Sequence, residues 1–150
     1  MNLRIDQLAI DTLRVLSIEE IAKAKSGHPG IALGASPIIH TLYSRILHLS
    51  SQDNKWVNRD RFVMSAGHGS SLLYAVLYLY GYLEKKDLES FRQLGSLTPG
   101  HPEVHLTKGV DVSTGPLGQG IAMACGMAIA EAHLHAKFPK LINHYTYVLC

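Results

Sequence analysis

The sequence predicts an α/β fold, with helices on both faces of a parallel sheet. Two short apolar segments indicate buried strands, at residues 61–65 and 145–149, and helical patterns occupy the chain before and between them. Strands separated by helices are typical of parallel sheets, because the crossover between parallel strands needs a long connection. Two strands rarely form a stable sheet alone. We therefore expect the sheet to be incomplete within these residues.

Helical periodicity and end signals define the predicted helices. Apolar spacing predicts a helix over residues 3–25, stopped by the segment Gly27–Pro29. Ser36 as N-cap and Pro37 at the first helical position predict a second helix, over residues 37–49. Three further helices are expected, over residues 70–80, 85–94 and 118–137. Residues 95–116 show no periodic pattern, and a loop of that length is usually functional.

Composition narrows the class of protein. The chain has 150 residues, of which 47% are hydrophobic and 17% charged, enough for one domain or part of a larger one. A net charge of +2 without basic clusters argues against a nucleic-acid surface. The apolar runs are shorter than the ~18 residues of a membrane span, and no signal peptide is evident. Two cysteines form no disulfide framework. We expect a soluble, cytoplasmic protein.

Three of the nine histidines directly follow a glycine, namely His28, His68 and His101. All three lie outside the predicted helices, in loops, where catalytic residues concentrate. Glycine allows a ligand to approach the backbone closely, and imidazole donates or accepts a proton near neutral pH. The alternative is that these histidines only occupy tight turns. Spacing alone does not separate the two interpretations.

His68 has the clearest physical role, because it follows a predicted strand and precedes a predicted helix. Free N–H groups and the helix dipole favour an anion at such a turn, and an imidazole could donate to a phosphate there. The alternative is a capping turn with a solvated histidine. His101 and His105 have the spacing of some zinc helices, but Pro102 disfavours that helix and a third ligand is not evident.

A glycine-rich segment, Ser113–Gly120, leads into the last predicted helix. Its order, G-x-x-G-x-G, differs from the dinucleotide fingerprint G-x-G-x-x-G, and it lacks the Gly-Lys-Ser/Thr ending of a P-loop. Alone, the segment indicates only a close approach of the backbone to a ligand or to another helix. The small residues that continue from Gly118 favour tight packing against a helix or subunit.

Four motifs in a fixed order resemble one enzyme family. They are Ser26–Gly30, Trp56–Gly69, Thr98–Glu103 and Ser113–Gly120. The series resembles the N-terminal part of transketolase, a thiamine-diphosphate enzyme that moves a two-carbon ketol unit between sugar phosphates. The related deoxyxylulose-phosphate synthase fits less well. The resemblance implies an incomplete thiamine-diphosphate-binding fold, with residues 1–150 as the N-terminal portion of the diphosphate-binding (PP) domain.

The resemblance also implies roles for individual residues. His68 would contact the cofactor diphosphate. The residues implied to lie against the cofactor are Gly115, Pro116 and Leu117, and the main chain of Gly115 and Leu117 would meet the aminopyrimidine. His28 and His101 would face the substrate. His28 would bond its hydroxyls and assist proton transfer, whereas His101 would hold the donor ketose near its reacting end.

In this family a Gly-Asp-Gly loop follows the strand that here reaches Cys150. Its aspartate and a later asparagine hold a divalent metal, magnesium or calcium, so we expect the metal ligands beyond Cys150. Asp111 is the acid nearest the glycine-rich segment, and one carboxylate does not make a magnesium site. The resemblance further implies sugar-phosphate substrates and a homodimer for the complete enzyme.

Two other interpretations remain open from the residues alone. If the chain is an opening segment of a transketolase, we expect it to be inactive by itself. Alternatively it is a non-catalytic remnant, or an assembly or binding subunit of a split thiamine-diphosphate enzyme. A nucleotide-binding α/β domain of another family is a third possibility, although the order of glycines in Ser113–Gly120 does not favour it.

Overall fold

The computed structural model describes residues 3–150, which fold into two units. The first unit comprises the described part of Met1–Ile46 together with His68–His101, and the second comprises Leu47–Gly67 and Pro102–Cys150. The expected class, helices combined with a parallel sheet, is confirmed. Within residues 3–150 no helix has the length and apolar character needed to cross a membrane.

The first unit is helical. Its regular elements are α1 (Leu3–Ala24), α2 (Pro29–Thr41), a π-helical turn (Leu42–Ile46), α3 (Ser70–Leu79) and α4 (Lys85–Glu89). Every side chain from Ser70 to Leu77 is buried, so α3 forms the centre of this core. Tyr74 is fully buried, and its hydroxyl donates to the Pro99 carbonyl at 2.9 Å. This bond satisfies the hydroxyl group of the buried Tyr74 side chain.

The predicted first helix is confirmed, but the predicted start of the second is wrong. The helix α2 begins at Pro29, and Pro37 lies inside it. Pro29 meets the requirement of the first helical turn, where a missing N–H costs nothing. Ser36 is therefore not an N-cap, and its hydroxyl donates back to the Ala32 carbonyl.

The interior position of Pro37 is tolerated because another residue replaces its missing donor. A helical residue at position 37 would donate its N–H to the Leu33 carbonyl, four residues earlier. The Arg14 Nε of α1 donates to that carbonyl instead, at 3.1 Å. The α1–α2 contact thus compensates the helix for its proline.

The helix α4 ends at Glu89, well before the predicted end at residue 94. Arg92 has a φ of +60°, which cannot continue a right-handed helix. Its N–H donates to the Thr98 carbonyl, and the Thr98 hydroxyl donates to the Asp87 carbonyl at 2.6 Å. These bonds turn the chain away from the helix axis and satisfy a carbonyl of its last turn.

The second unit contains the sheet. Its strands β1 (Arg61–Met64) and β2 (Thr146–Leu149) are parallel, with Arg61 opposite Thr146 and Met64 opposite Leu149. The helix α5 (Gln119–Lys137) connects them and packs against both. Both predicted strands exist, and β1 is largely buried as expected, whereas β2 is only partly covered. Helices on both faces of this sheet remain a prediction.

A buried carboxylate fixes the start of this sheet. Asp60, which directly precedes β1, is 1% exposed. It accepts backbone N–H bonds from His48 at 2.8 Å and from Tyr145, just before β2, at 2.7 Å. One side chain therefore holds the entries to both strands in register.

Gly120 lets the first turn of α5 approach the end of β1. A Cβ at this position would lie 2.6 Å from the Ser65 Cα, closer than real Cβ contacts. Gly126, in the same helix, has no atom within 4 Å of such a Cβ among the described residues, apart from its chain neighbours and the backbone of its own helix. The close approach is thus specific to one of the two helical glycines.

Glu20 is a buried acid in the core of the first unit. Its side chain projects from α1 and is 2% exposed. Burial raises the pKa of the Glu20 carboxyl from its ordinary value of 4.5 to about 10, and the nearby Lys85 only partly offsets this. The carboxyl consequently keeps its proton in the folded chain at neutral pH.

This protonation makes stability fall as pH rises. The unfolded chain releases the Glu20 proton near pH 4.5 and the folded chain near pH 10, so the contribution is complete at low pH and is lost progressively between these values. The expected slope is about 1.4 kcal/mol per pH unit. We expect Glu20→Gln to remove it, in urea unfolding of the 150-residue chain from pH 5 to 9.

Glu103→Gln is the matched control, because Glu103 is exposed and lies in the second unit. That variant should retain the slope of the parent chain. Parallel stability curves for the parent and Glu20→Gln would contradict the assignment.

Replacing the two glycines of α5 should have opposite effects. Gly120→Ala should lower the free energy of unfolding by ~1–3 kcal/mol, because its methyl group would overlap Ser65. Gly126→Ala should raise it by up to about 1 kcal/mol, through helix propensity alone. Urea titrations followed by circular dichroism measure both. Equal changes in the two variants would show that α5 does not approach β1 closely.

Candidate functional site

The three histidines that follow glycines lie together in the first unit. His28 immediately precedes α2 with an extended backbone (φ −119°, ψ 102°), and His68 lies in the 3-10 turn that leads into α3. Their rings meet edge to face, with 5.1 Å between centroids. His101 lies close enough to both for their charges to act on its ring. The fold therefore brings together three imidazoles that are distant along the chain.

The electrostatic setting favours the neutral form of His101. Partial burial lowers the pKa of the His101 imidazole below its ordinary value of 6.5. The charge of Arg92 adds to this effect, followed by those of His28 and His68. A neutral imidazole can accept a hydrogen bond from a hydroxyl group or take up a proton. His101 is exposed, so a ligand can reach it.

Arg92 is the residue of this cluster that the sequence did not reveal. Its Nη1 donates to the Ser26 hydroxyl at 2.8 Å, and its guanidinium lies 5.4 Å from the centre of the Phe91 ring. The Nε and Nη2 atoms are buried and have no hydrogen-bond partner among the described residues. The packing is close, since a Cβ at Gly100 would lie 3.2 Å from Nε. In the sequence, the one sign of a role for Arg92 was its position just before the long irregular loop.

The start of α3 has the properties of an anion site. Its N-cap is Gly69, which has no side chain to satisfy the free N–H groups of the first turn. Ser70 donates its hydroxyl to the Gly100 carbonyl at 2.8 Å. The Ser71 hydroxyl is buried and lacks a partner within residues 3–150. Free N–H groups, an unpaired hydroxyl and the adjacent His68 fit a phosphate group.

In the second unit the glycine-rich segment is held by its neighbours in sequence and by β1. The Thr114 hydroxyl donates to the Met64 carbonyl at 2.7 Å, and the Thr114 N–H donates to the Pro102 carbonyl at 3.1 Å. A Cβ at Gly67 would lie 2.8 Å from the Gly115 nitrogen, so only glycine permits this contact. The segment is thereby fixed against the turn that follows β1.

The three residues assigned by resemblance to the cofactor differ in exposure. Gly115 is partly buried, Pro116 is exposed, and the Leu117 side chain is 72% exposed. Gly118 follows with a φ of +86°, a left-handed conformation that suits glycine. The main chain of this segment is therefore fixed while its outer surface stays accessible, which fits a cofactor held by backbone groups.

The described residues do not form a metal site. Within residues 3–150, no group of three or more His, Cys, Asp or Glu side chains could hold a metal ion. The carboxylate of Asp111 is already engaged, with the Arg59 Nη2 at 2.5 Å and the Phe62 N–H at 2.9 Å. Asp111 is thus a structural anchor of β1 rather than a metal ligand.

Removing the positive charge of Arg92 should raise the pKa of His101. Arg92→Met retains an aliphatic contact with Phe91, and the pKa should move toward 6.5 without reaching it, because burial has the larger effect. NMR titration of the histidine ring protons measures the change. Arg4→Met, at the exposed start of α1, is the control and should leave the His101 titration unchanged. A pKa of His101 that stays the same in Arg92→Met would contradict this electrostatic coupling.

The chain has extensive sequence similarity to known proteins. A family model described as transketolase, thiamine diphosphate binding domain, matches residues 5–150. The transketolase of Staphylococcus epidermidis is 59% identical over 148 residues, which cover 96% of this chain and 22% of that protein.

Solved structures of transketolases are also similar to this chain. The enzyme from Campylobacter jejuni matches with a TM-score of 0.96 and 48% identity, covering 100% of this chain and 24% of that one. The enzyme from Pichia stipitis in complex with sedoheptulose-7-phosphate matches with a TM-score of 0.92 and 49% identity, covering 96% and 22%. This chain thus spans between a fifth and a quarter of the length of these proteins. The near-complete family match and the high identity show that the chain belongs to the transketolase family.

Proposed function

We propose that this chain supplies part of the cofactor and donor-sugar contacts of a transketolase. The reaction is the transfer of a two-carbon ketol unit from a ketose phosphate to an aldose phosphate. The main support is the cluster of His28, His68 and His101 beside the start of α3, in a chain that belongs to this family. Because the chain spans 22% of its S. epidermidis relative, turnover belongs to a complete protein, and these residues alone are inactive.

His68 and the first turn of α3 bind the cofactor diphosphate. The uncapped first turn of α3 and the Ser71 hydroxyl support this assignment, since Gly69 offers that turn no side-chain acceptor and the hydroxyl has no partner among the described residues. The helix dipole adds a favourable interaction with the anion. Thiamine diphosphate, when bound, supplies the carbanion and the electron sink for carbon–carbon bond cleavage.

Gly115, Pro116 and Leu117 orient the cofactor through the main chain. The support is the rigid seating of this segment, in which Thr114 bonds to Met64 and Gly115 lies against Gly67. A backbone held in this way loses little conformational freedom when a ligand binds. The exposed Leu117 side chain provides an apolar contact for a ring.

His28 and His101 bind the donor ketose and move its protons. The support is the lowered pKa of His101, which leaves its imidazole able to accept a bond from a sugar hydroxyl. His28 contacts His68 and occupies the exposed entry to α2, where it can bond substrate hydroxyls. Family membership and the sugar phosphate bound by the P. stipitis relative support this substrate class.

The remaining features of the complete enzyme are also part of the proposal. The divalent metal, magnesium or calcium, takes its ligands from residues beyond Cys150. The complete enzyme is a homodimer, works in the cytoplasm and serves the pentose phosphate pathway. Support for the dimer comes from α5, where Ile121 is 42% and Ile129 71% exposed, more than is usual for large apolar side chains within a core.

Substitution of the three histidines should separate cofactor binding from substrate binding. In a full-length transketolase that carries this segment, we expect His68→Ala to weaken thiamine-diphosphate affinity by roughly 10- to 100-fold, as for the loss of a charge-assisted bond. His28→Ala and His101→Ala should mainly raise KM or lower kcat for the donor ketose. Steady-state kinetics with varied cofactor and varied ketose measure both effects.

His105→Ala is the matched control, because His105 lies in the second unit and is exposed. This variant should behave like the parent enzyme. Unchanged cofactor affinity in His68→Ala would overturn the diphosphate assignment. Turnover by the isolated 150-residue chain with cofactor and magnesium would overturn the proposal that these residues alone are inactive.

A further inference from the structure

A cavity of about 470 Å³ lies between α1 and α4 in the first unit. Its apolar wall is formed by Leu16, Ala22 and Leu88. The volume is within the range of about 300–1,000 Å³ that is usual for small-molecule sites. None of the three histidines of the candidate site lines this cavity.

Glu20 is the polar group of the cavity wall that lacks a partner. Its side chain is 2% exposed, and neither carboxyl oxygen has a hydrogen-bond partner among residues 3–150. Native proteins pair nearly all buried polar groups, because an unpaired one costs several kcal/mol of desolvation. A carboxyl that lines a cavity under these conditions indicates a missing donor.

The other charged groups around the cavity are already paired. Lys23 bonds to Glu89 at 3.3 Å, and Lys85 bonds to Glu19 at 2.8 Å. Each pair joins α1 to α4, so together they neutralise the rim of the cavity and leave Glu20 without a counter-ion.

The other helices packed against α1 supply no cation to Glu20. His40 is the one charged or titratable residue of α2, and it bonds to the Asp6 carboxylate at 3.1 Å. The segment α3 contains no Asp, Glu, Lys, Arg or His. An ionised Glu20 therefore has no cation hydrogen-bonded to it within residues 3–150, and the charge of Lys85 only partly offsets its burial.

We propose that this cavity binds a small organic monocation, an ammonium or guanidinium group on a short aliphatic chain, with Glu20 as its counter-ion. The cation would donate to the two unpaired oxygens, and the aliphatic chain would contact Leu16, Ala22 and Leu88. A guanidinium matches the carboxylate best, since it donates two parallel bonds to both oxygens. The site is separate from the proposed transketolase function and does not depend on it.

Binding must release one proton. The Glu20 carboxyl is protonated before binding at neutral pH, because burial raises its pKa to about 10, and it must ionise to pair with the cation. The proton passes to the buffer. Affinity should consequently rise about tenfold per pH unit between pH 7 and 9.

Calorimetry with n-butylguanidinium tests the proposal on the 150-residue chain, after circular dichroism has verified folding. Titrations in buffers of different ionisation enthalpy count the released protons. We expect saturable binding at one site, one proton released per ligand, and at least a tenfold loss of affinity in Glu20→Gln. The neutral analogue n-butylurea should bind at least tenfold more weakly than n-butylguanidinium.

Glu103→Gln is the matched control, because Glu103 is exposed and does not line the cavity. Its affinity should change less than threefold. Equal affinity of the parent and Glu20→Gln, or binding without proton release, would overturn the proposal. Lys85→Met tests whether Lys85 turns inward to occupy the site. Binding that occurs only in that variant would show that Lys85 itself is the counter-ion and would likewise overturn the proposal.

A second measurement is independent of calorimetry. The ¹³C resonance of the Glu20 side-chain carboxyl reports its ionisation directly. Addition of n-butylguanidinium should lower the pKa of Glu20, and a pKa that stays unchanged at saturating ligand would show that the cation binds elsewhere.

Peptides with a single exposed arginine distinguish a free ligand from a protein side chain. Such peptides should bind at least tenfold more weakly than n-butylguanidinium, and tighter binding of the peptide would overturn the small-molecule assignment.

Discussion

The second unit depends on two buried carboxylates at the start of β1. Asp60 accepts N–H bonds from His48 and Tyr145, so it joins the segments that enter the two strands. Asp111 accepts the Phe62 N–H and thereby ties the loop before the glycine-rich segment to the same strand. A buried carboxylate is tolerated only while such donors stay in place. The register of the sheet and the position of the glycine-rich segment therefore share one constraint.

The candidate functional residues differ in kind between the two units, each taken by itself. The helical unit contributes side chains. His28 precedes α2, His68 lies in the turn that leads into α3, and His101 is the last residue of this unit. The second unit contributes main chain, since the bonds of Thr114 fix a segment whose side chains matter less than its path. A cofactor that supplies the reactive atoms itself needs orientation and proton transfer from the protein, and backbone groups and imidazoles can provide these.

Much of the fold could be predicted from local signals, and the failures have physical causes. Long periodic segments such as α1 were predicted well because periodicity is averaged over many residues. The start of α2 was missed since Pro37 is compensated by Arg14, a contact between distant residues. Loops with Gly-His pairs could be found from sequence, but their meeting in space could not. Arg92 and Glu20 were missed for the same reason, as burial and pairing are properties of the tertiary fold.

The bond from Arg14 to the Leu33 carbonyl makes two positions evolutionarily dependent on each other. A chain that first loses Pro37 regains a backbone donor for that carbonyl and can then replace Arg14 freely. A chain that first loses Arg14 leaves the carbonyl with solvent alone. The order of substitution thus decides which intermediate is the less stable, so homologous chains should contain the arginine wherever they contain the proline. An ordinary surface hydrogen bond in this way constrains the paths by which the sequence can diverge.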